Sequence, residues 1–366
     1  MTDWIQFPAP TPAIVAPPSE ESATDVRLWL LVIAALVFAM VVVGGATRLT
    51  ESGLSITEWK PITGVLPPLS EAQWSAAFED YKKIPQYREM FPNMDLAQFK
   101  TIFAWEWSHR LLGRIIGFAF AVPLAWFWLR GRLPKSVKPK LIGILALGAL
   151  QGGVGWWMVS SGLVNRVEVA QERLAIHLLL AAFIFAACLW VAGGLGYGTR
   201  IIVASGRRRL SFFANLLLFL VLAQIGAGAL VAGLRAGYAY NTWPLMDDSF
   251  IPPSEDLLRL SPWWSNLVDN VALVQFDHRM IAYVLLALSL FHLIDAAGTA
   301  GGRAARGAGL LFGHVSAQVV LGITTLLLVV PLWAGLAHQA LAMGVLAVAT
   351  LHARRLHNAE AVTDED

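Results

Sequence analysis

The chain has 366 residues, 57% of them hydrophobic and only 14% charged, against roughly 25% charged in an average soluble domain. That balance excludes a disordered chain and argues against a soluble enzyme, because one core of this length cannot hide so much apolar surface. A net charge of +2, from 27 basic and 25 acidic residues, implies no nucleic-acid partner, and the single cysteine, Cys188, excludes an intrachain disulfide and a thiolate metal cluster.

Residues 1–27 are Pro-rich and acidic, with no arginine before Arg27. They lack the basic start of a secretory signal and the arginines of a mitochondrial presequence. They read as a disordered cytoplasmic tail, and they favour a bacterial plasma (inner) membrane over an organelle. Eight apolar segments follow, near 28–47, 105–129, 141–160, 174–196, 210–233, 272–296, 308–330 and 335–352. Each approaches the roughly 20 residues needed to cross about 30 Å of hydrocarbon, and apolar runs of this length are helices rather than alternating strands. The expected fold is an all-α integral membrane protein with eight transmembrane helices in two pseudo-symmetric four-helix bundles. The bundles are 28–200 and 201–353, and 354–366 form a second cytoplasmic tail.

Arginine and lysine set the orientation. Arg130, Arg132, Lys135, Lys138 and Lys140 follow the second span; Arg200, Arg207, Arg208 and Arg209 the fourth; Arg303 and Arg306 the sixth; Arg354 and Arg355 the eighth. The opposite side carries the mixed-charge connection 48–104 and the loop 234–271 with its acids. Both termini are therefore expected in the cytoplasm. Tryptophans such as Trp105, Trp107, Trp156, Trp157, Trp263 and Trp264 gather at the outer side, where an interfacial aromatic belt belongs.

The two halves repeat. Glu106 to Arg110, "EWSHR", falls on Gln275 to Arg279, "QFDHR"; Gln151 and Gly155 match Gln318 and Gly322; His177 matches His338; Trp59 and Pro61 correspond loosely to Trp243 and Pro244. Four ordered spans per copy make this a parallel repeat.

Four histidines, His109, His177, His278 and His338, occupy repeat-equivalent places just inside the outer ends of even-numbered spans. One histidine on an apolar face is ordinarily a satisfied core residue, but four at one depth in two pairs are functional candidates. Two imidazoles facing across a bundle ligate an iron porphyrin from both sides. Zinc is the competing reading, and it lacks further ligands to complete two tetrahedral sites. Gly113 and Gly117, on the face of His109, would leave room for a flat macrocycle or simply pack helices closely. His292, His314, His352 and His357 have no repeat partner and read as structural or interfacial. Arg110, Arg173, Arg279, Arg48 and Arg235 lie near the same depth. They are candidates for binding propionates, with snorkelling to the interface as the alternative.

The halves differ three residues before the second-span histidine, with Glu106 in one and Gln275 in the other. Glu106 shares a helix face with His109. A carboxylate there can take protons or stabilise developing positive charge, which an amide cannot do; its alternative role is a salt bridge to Arg110 or Arg173.

On these residues the chain resembles the heme A synthase family: the duplicated eight-span pattern, Glu106–Arg110, His278-Arg279, His338-Gln339, His177 and the run Gly44 to Pro68 all match it. The resemblance spans residues 28–352. It implies oxidation of the C8 methyl group of haem O to a formyl group by successive hydroxylations and loss of water, giving haem A for terminal oxidases. It also implies haem b at His278 and His338, and substrate at His109, His177 and Glu106. The expected partners are haem O synthase and oxidase assembly factors. Some family members carry a cysteine pair in the outer loops, which this chain lacks. The alternatives are a membrane cytochrome b that only transfers electrons, or a haem carrier or insertion factor.

Overall fold

The computed structural model describes residues 20–61, 63–195, 202–203, 206–300 and 302–361. In chain order its helices are α1 (Glu20–Leu49), α2 (Glu71–Lys82), α3 (Pro85–Met90), α4 (Leu96–Leu129), α5 (Lys138–Ser160), α6 (Gln171–Gly194), α7 (Arg207–Gly233), α8 (Ser254–Leu257), α9 (Asn266–Asp269), α10 (Val271–Thr299), α11 (Gly302–Leu327) and α12 (Leu332–His357). Eight of these, α1, α4 to α7 and α10 to α12, are long and apolar enough to cross a membrane. The protein is a multi-pass membrane protein. Apart from short 3-10 turns, the other regular element is a two-residue parallel pairing of Ile202 with Glu360 and Val203 with Ala361.

Several helices overrun the apolar segments, because hydrophobicity marks where a helix meets lipid, not where its caps lie. The first helix starts at Glu20, eight residues before the expected span, so residues 20–27 continue it; residues 1–19 lie outside the described ones. The fourth starts at Leu96 because Asp95 and Gln98 form a reciprocal capping box, with Gln98 N–H donating to Asp95 Oδ1 at 2.8 Å and Asp95 N–H to Gln98 Oε1 at 3.0 Å. Its interior Pro123 leaves the helix continuous, as neighbouring helices permit in membranes. The last runs to His357, into the segment expected to be a tail. The expected boundary between halves, 200/201, lies outside the described residues.

The eight long helices pack as two rings of four. One ring runs α1–α4–α5–α6 and returns to α1; the other runs α7–α10–α11–α12 and returns to α7, in the same neighbour order. They meet along a seam where α1 touches α12 and α6 touches both α7 and α12. The largest apolar core follows this seam and includes Leu30, Ile33, Ala182, Cys188, Leu217, Met343 and Leu346. Above the first ring, α2 and α3 pack Phe78, Tyr81 and Ile84 against Phe99 and Phe103 of the overhanging α4. The long connection therefore carries a small apolar cap of its own.

Candidate functional site

Each of the four singled-out histidines lies against a glycine of a neighbouring helix. A Cβ at Gly44 of α1 would come within 2.9 Å of His109 Nε2; one at Gly155 of α5 within 2.9 Å of His177 Cε1; one at Gly228 of α7 within 3.1 Å of His278 Cε1; one at Gly322 of α11 within 2.8 Å of His338 Cε1. Any larger residue would push the ring aside. His177 lies within electrostatic reach of His109, and the rings of His278 and His338 have centroids 6.5 Å apart. His278 and His338 thus face each other within the second ring, and His109 of α4 and His177 of α6 both belong to the first.

Three of the four rest on a second contact; the repeat matched two of its glutamines, Gln151 and Gln318, but not Gln224. Gln151, Gln224 and Gln318 each lie one turn before their glycine and donate from Nε2 to the main-chain oxygen of His177, His278 and His338, at 3.0, 2.9 and 3.0 Å. Their Oε1 atoms, and Nδ1 of His177 and His278, are buried without a protein partner. The signal was present as Gln-x-x-x-Gly, but its copy at Gln224 sits on the first helix of its half rather than the third. Of the two glycines on the His109 face, Gly117 faces open space, whereas Met40 Cε occupies the space beside Gly113.

Glu106 is 2% exposed and both carboxyl oxygens are engaged. Oε2 accepts from Ser55 Oγ at 2.7 Å and Ile56 N–H at 2.8 Å, and Oε1 from Arg110 Nε at 3.1 Å and Nη2 at 2.6 Å. All four partners are donors, which suits a carboxylate rather than a carboxylic acid. The ion pair with Arg110, weighed as an alternative role, is therefore formed. Arg110 also donates to the main-chain oxygens of Glu58 and Ile56, Arg114 to those of Lys60 and Pro61, and Trp107 Nε1 to that of Val65. Together they clamp residues 55–61 and 63–65 along α4.

The second ring keeps the scaffold and drops the charge. Gln275 Oε1 accepts from Arg279 Nη2 at 3.2 Å, and its Nε2 donates to Ala236 O at 2.8 Å. Arg279 donates to Leu245 O and Tyr240 O, is 8% exposed, and leaves Nε buried and unpartnered. No carboxylate forms an ion pair with it among the described residues.

The other arginines go elsewhere. Arg173 donates to Trp157 O and lies over the Trp157 ring at 4.6 Å. Arg48 and Arg235 join Glu51 and Glu168 in an ion cluster at one end of the seam: Arg48 reaches Glu168 at 2.5 Å and Glu51 at 3.3 Å, and Arg235 reaches Glu51 at 2.5 Å and also bonds Glu168. Neither acid was singled out in the sequence: Glu51 is only three residues from Arg48, but Glu168 and Arg235 reach that pair from far along the chain. Among the remaining histidines, His292 and His352 are buried and bonded to each other through Nε2 at 2.8 Å. His314 Nδ1 lies 2.8 Å from Leu310 O, and His357 packs on Trp190.

Two four-helix rings, each with a pair of part-buried imidazoles seated on glycines near one end, define a membrane-embedded helical protein with two repeat-equivalent candidate sites. One of the sites carries an added charge pair. Comparison with known proteins places it further: the cytochrome oxidase assembly protein family (COX15-CtaA) matches residues 27–350. The chain is 59% identical over 349 residues to a heme A synthase of Beijerinckia indica, covering 95% of this chain and 97% of that protein. It is 57% identical to one of Rhodopseudomonas palustris strain HaA2, with 90% of each chain covered, and 55% identical to one of Bradyrhizobium diazoefficiens, with 93% and 94% covered. The chain belongs to the heme A synthase family.

Proposed function

We propose that this protein is a haem A synthase, an oxidoreductase that converts the C8 methyl group of haem O to the formyl group of haem A for terminal oxidases. It would work in a bacterial inner membrane with both termini cytoplasmic. Its substrate site would lie in the first ring, within residues 28–200, and a permanent haem b in the second, within 201–353. One observation carries this reading: four glycine-seated imidazoles form two pairs, and only the first pair has a buried carboxylate, Glu106, one turn away.

His278 and His338 would hold haem b. The fit rests on two imidazoles facing each other with ring centroids 6.5 Å apart and on the glycine cradles under both rings. Arg279, a buried cation bonded only to neutral acceptors, is the best candidate for a propionate partner. When bound, haem b supplies one-electron redox chemistry at a potential set by its axial ligands and burial.

In the first ring, His109 and His177 would orient haem O, and Gly155 together with Gln151 leaves the His177 imidazole little freedom to move. Glu106 keeps a fixed negative charge beside the substrate, preorganised by four donors, where it stabilises positive charge developing on the oxidised carbon. Through Ser55, Ile56 and Arg110 the same carboxylate fixes residues 55–61 and 63–65 over α4, which limits water at the outer end of the site. Haem O synthase and oxidase assembly factors are the partners this function calls for.

The test is expression with a haem O source, followed by mass identification of the extracted haems. The formyl product is expected. Recovery of unmodified haem O alone under turnover conditions refutes the synthase reading and leaves electron transfer or haem carriage.

A further inference from the structure

Three of the four histidine positions share one local design, and the fourth departs from it. Gln151–Gly155 under His177, Gln224–Gly228 under His278 and Gln318–Gly322 under His338 each pair a glycine that seats the ring with a glutamine, one turn earlier, that bonds the histidine carbonyl. In α1 the glycine is kept as Gly44, but the residue one turn earlier is Met40. Its thioether lies against Gly113, one turn beyond His109 on α4. No side chain donates to the His109 carbonyl among the described residues. A thioether offers no donor and only a weak acceptor, and its unbranched chain adapts to whatever packs on it.

Resting on the assignment of His109 and His177 to the substrate, we infer that Met40 makes His109 the yielding ligand of the first ring. It is a positioning residue that keeps the substrate porphyrin exchangeable. A permanent cofactor gains from two anchored ligands, and the second ring has both, through Gln224 and Gln318. A substrate must enter and a product must leave, and the first ring anchors only one side, through Gln151 on His177. The same glutamines bring Nε2 within 3.5 and 3.4 Å of Nε2 of His177 and His278, so they limit ring rotation as well as helix position. His109 has neither restraint. Its ring is held from the α1 side by Gly44 alone, and the flexible Met40 can give way as the porphyrin passes.

The test is Met40→Gln, which installs the missing donor where the other three helices carry it. Haem O is loaded into the purified, haem b-containing protein, and its transfer to excess apomyoglobin is followed by absorbance. One added hydrogen bond is worth about 0.5–1.5 kcal/mol, so release should slow by roughly two- to tenfold, with haem b content unchanged. Met40→Leu, which adds no donor, should release haem O at the wild-type rate. Gln224→Met tests the converse, and haem b should then be lost several-fold faster to the same acceptor; this arm stands if Met40→Gln does not fold. Unchanged transfer in both Met40→Gln and Gln224→Met overturns the inference. His109→Ala separates that failure from failure of the site assignment: undiminished haem O binding in His109→Ala refutes the assignment, whereas lost binding there with unchanged release in Met40→Gln refutes only the role of Met40.

Discussion

Gln339 Nε2 donates to the main-chain oxygen of Val41 at 2.8 Å, which joins the residue after His338 to the helix that seats His109 on Gly44. The bond crosses the seam from α12 to α1, and the amide packs directly on Gly45, where any side chain would have to displace it. The two histidine sites are therefore connected through one side chain and a single turn of α1. Gln339→Leu keeps the volume and removes the donor, at a cost of about 0.5–1.5 kcal/mol. The thermal midpoint in detergent should fall by a few degrees, with haem b content retained. An unchanged midpoint would show that the bond adds nothing to the seam.

Glu106 combines a charge and a scaffold, and two substitutions separate them. Glu106→Ala strips Ser55, Ile56 N–H and Arg110 of their acceptor; breaking a buried pair in this way costs about 3–5 kcal/mol. Glu106→Gln keeps an acceptor for Arg110 and recreates the Gln275–Arg279 arrangement of the second ring. Both variants should lose formyl product, measured by haem extraction, and both should keep the haem b spectrum. Glu106→Gln should be less destabilised than Glu106→Ala, although its NH2 faces the Ile56 N–H and leaves that donor without an acceptor. Full conversion by Glu106→Gln would reduce the carboxylate to a structural part.

The glycine cradles can be tested against a control on the same helix. A Cβ at Gly155 meets the His177 ring at 2.9 Å, whereas one at Gly152 meets nothing within 4 Å. Gly155→Ala must displace the ring or the helix, an overpacking cost of about 1–3 kcal/mol, and should lower haem O binding several-fold in titrations. Gly152→Ala should bind normally. Equal behaviour of the two would mean the ring moves freely.

For the second ring, His278→Ala should deplete haem b in the purified protein, read from the reduced absorption spectrum, and His338→Ala should do the same. Normal haem content in either would refute the pairing. Gln224→Ala and Gln318→Ala leave the ligands in place and should weaken retention without abolishing it.

Much of this architecture was legible because a membrane simplifies the problem. Apolar length gave eight spans, and the order of matching residues gave two sets of four. What a periodic reading could not supply were contacts between residues far apart in the chain. Glu168 looks like an ordinary loop acid until the fold brings it to Arg48 and Arg235, and Glu51, already next to Arg48, gains Arg235 the same way. Arg110 and Arg279 were read as ligand-facing cations, and the structure spends most of their donors on loop carbonyls, because a buried guanidinium satisfies itself with whatever oxygen its own chain provides. Glu106 was legible as an asymmetry between the halves. Its saturation by Ser55 and Ile56 was not, since nothing in residues 48–104 marks where that segment crosses α4.

The seam cluster makes a prediction about pH. Burial holds the Glu51 carboxyl above its ordinary value of 4.5; Arg48 and Arg235 pull it down, and Glu168 pushes it further up. A raised carboxyl binds its proton more readily in the folded than in the unfolded protein. Its contribution to stability is therefore complete below 4.5 and is lost as pH rises through the folded value. Glu51→Gln mimics the protonated form permanently. Its stability should match wild type near pH 4 and gain on wild type by pH 7.5, as followed by thermal midpoints in detergent. Glu168→Gln should behave differently, because it takes one acceptor from both arginines, and a cost of about 1 kcal/mol is expected after allowing for the partial exposure of Arg235. If wild type instead gains on Glu51→Gln as pH rises, attraction to Arg48 and Arg235 outweighs burial, and the cluster is a net ionic clamp rather than a tolerated buried charge.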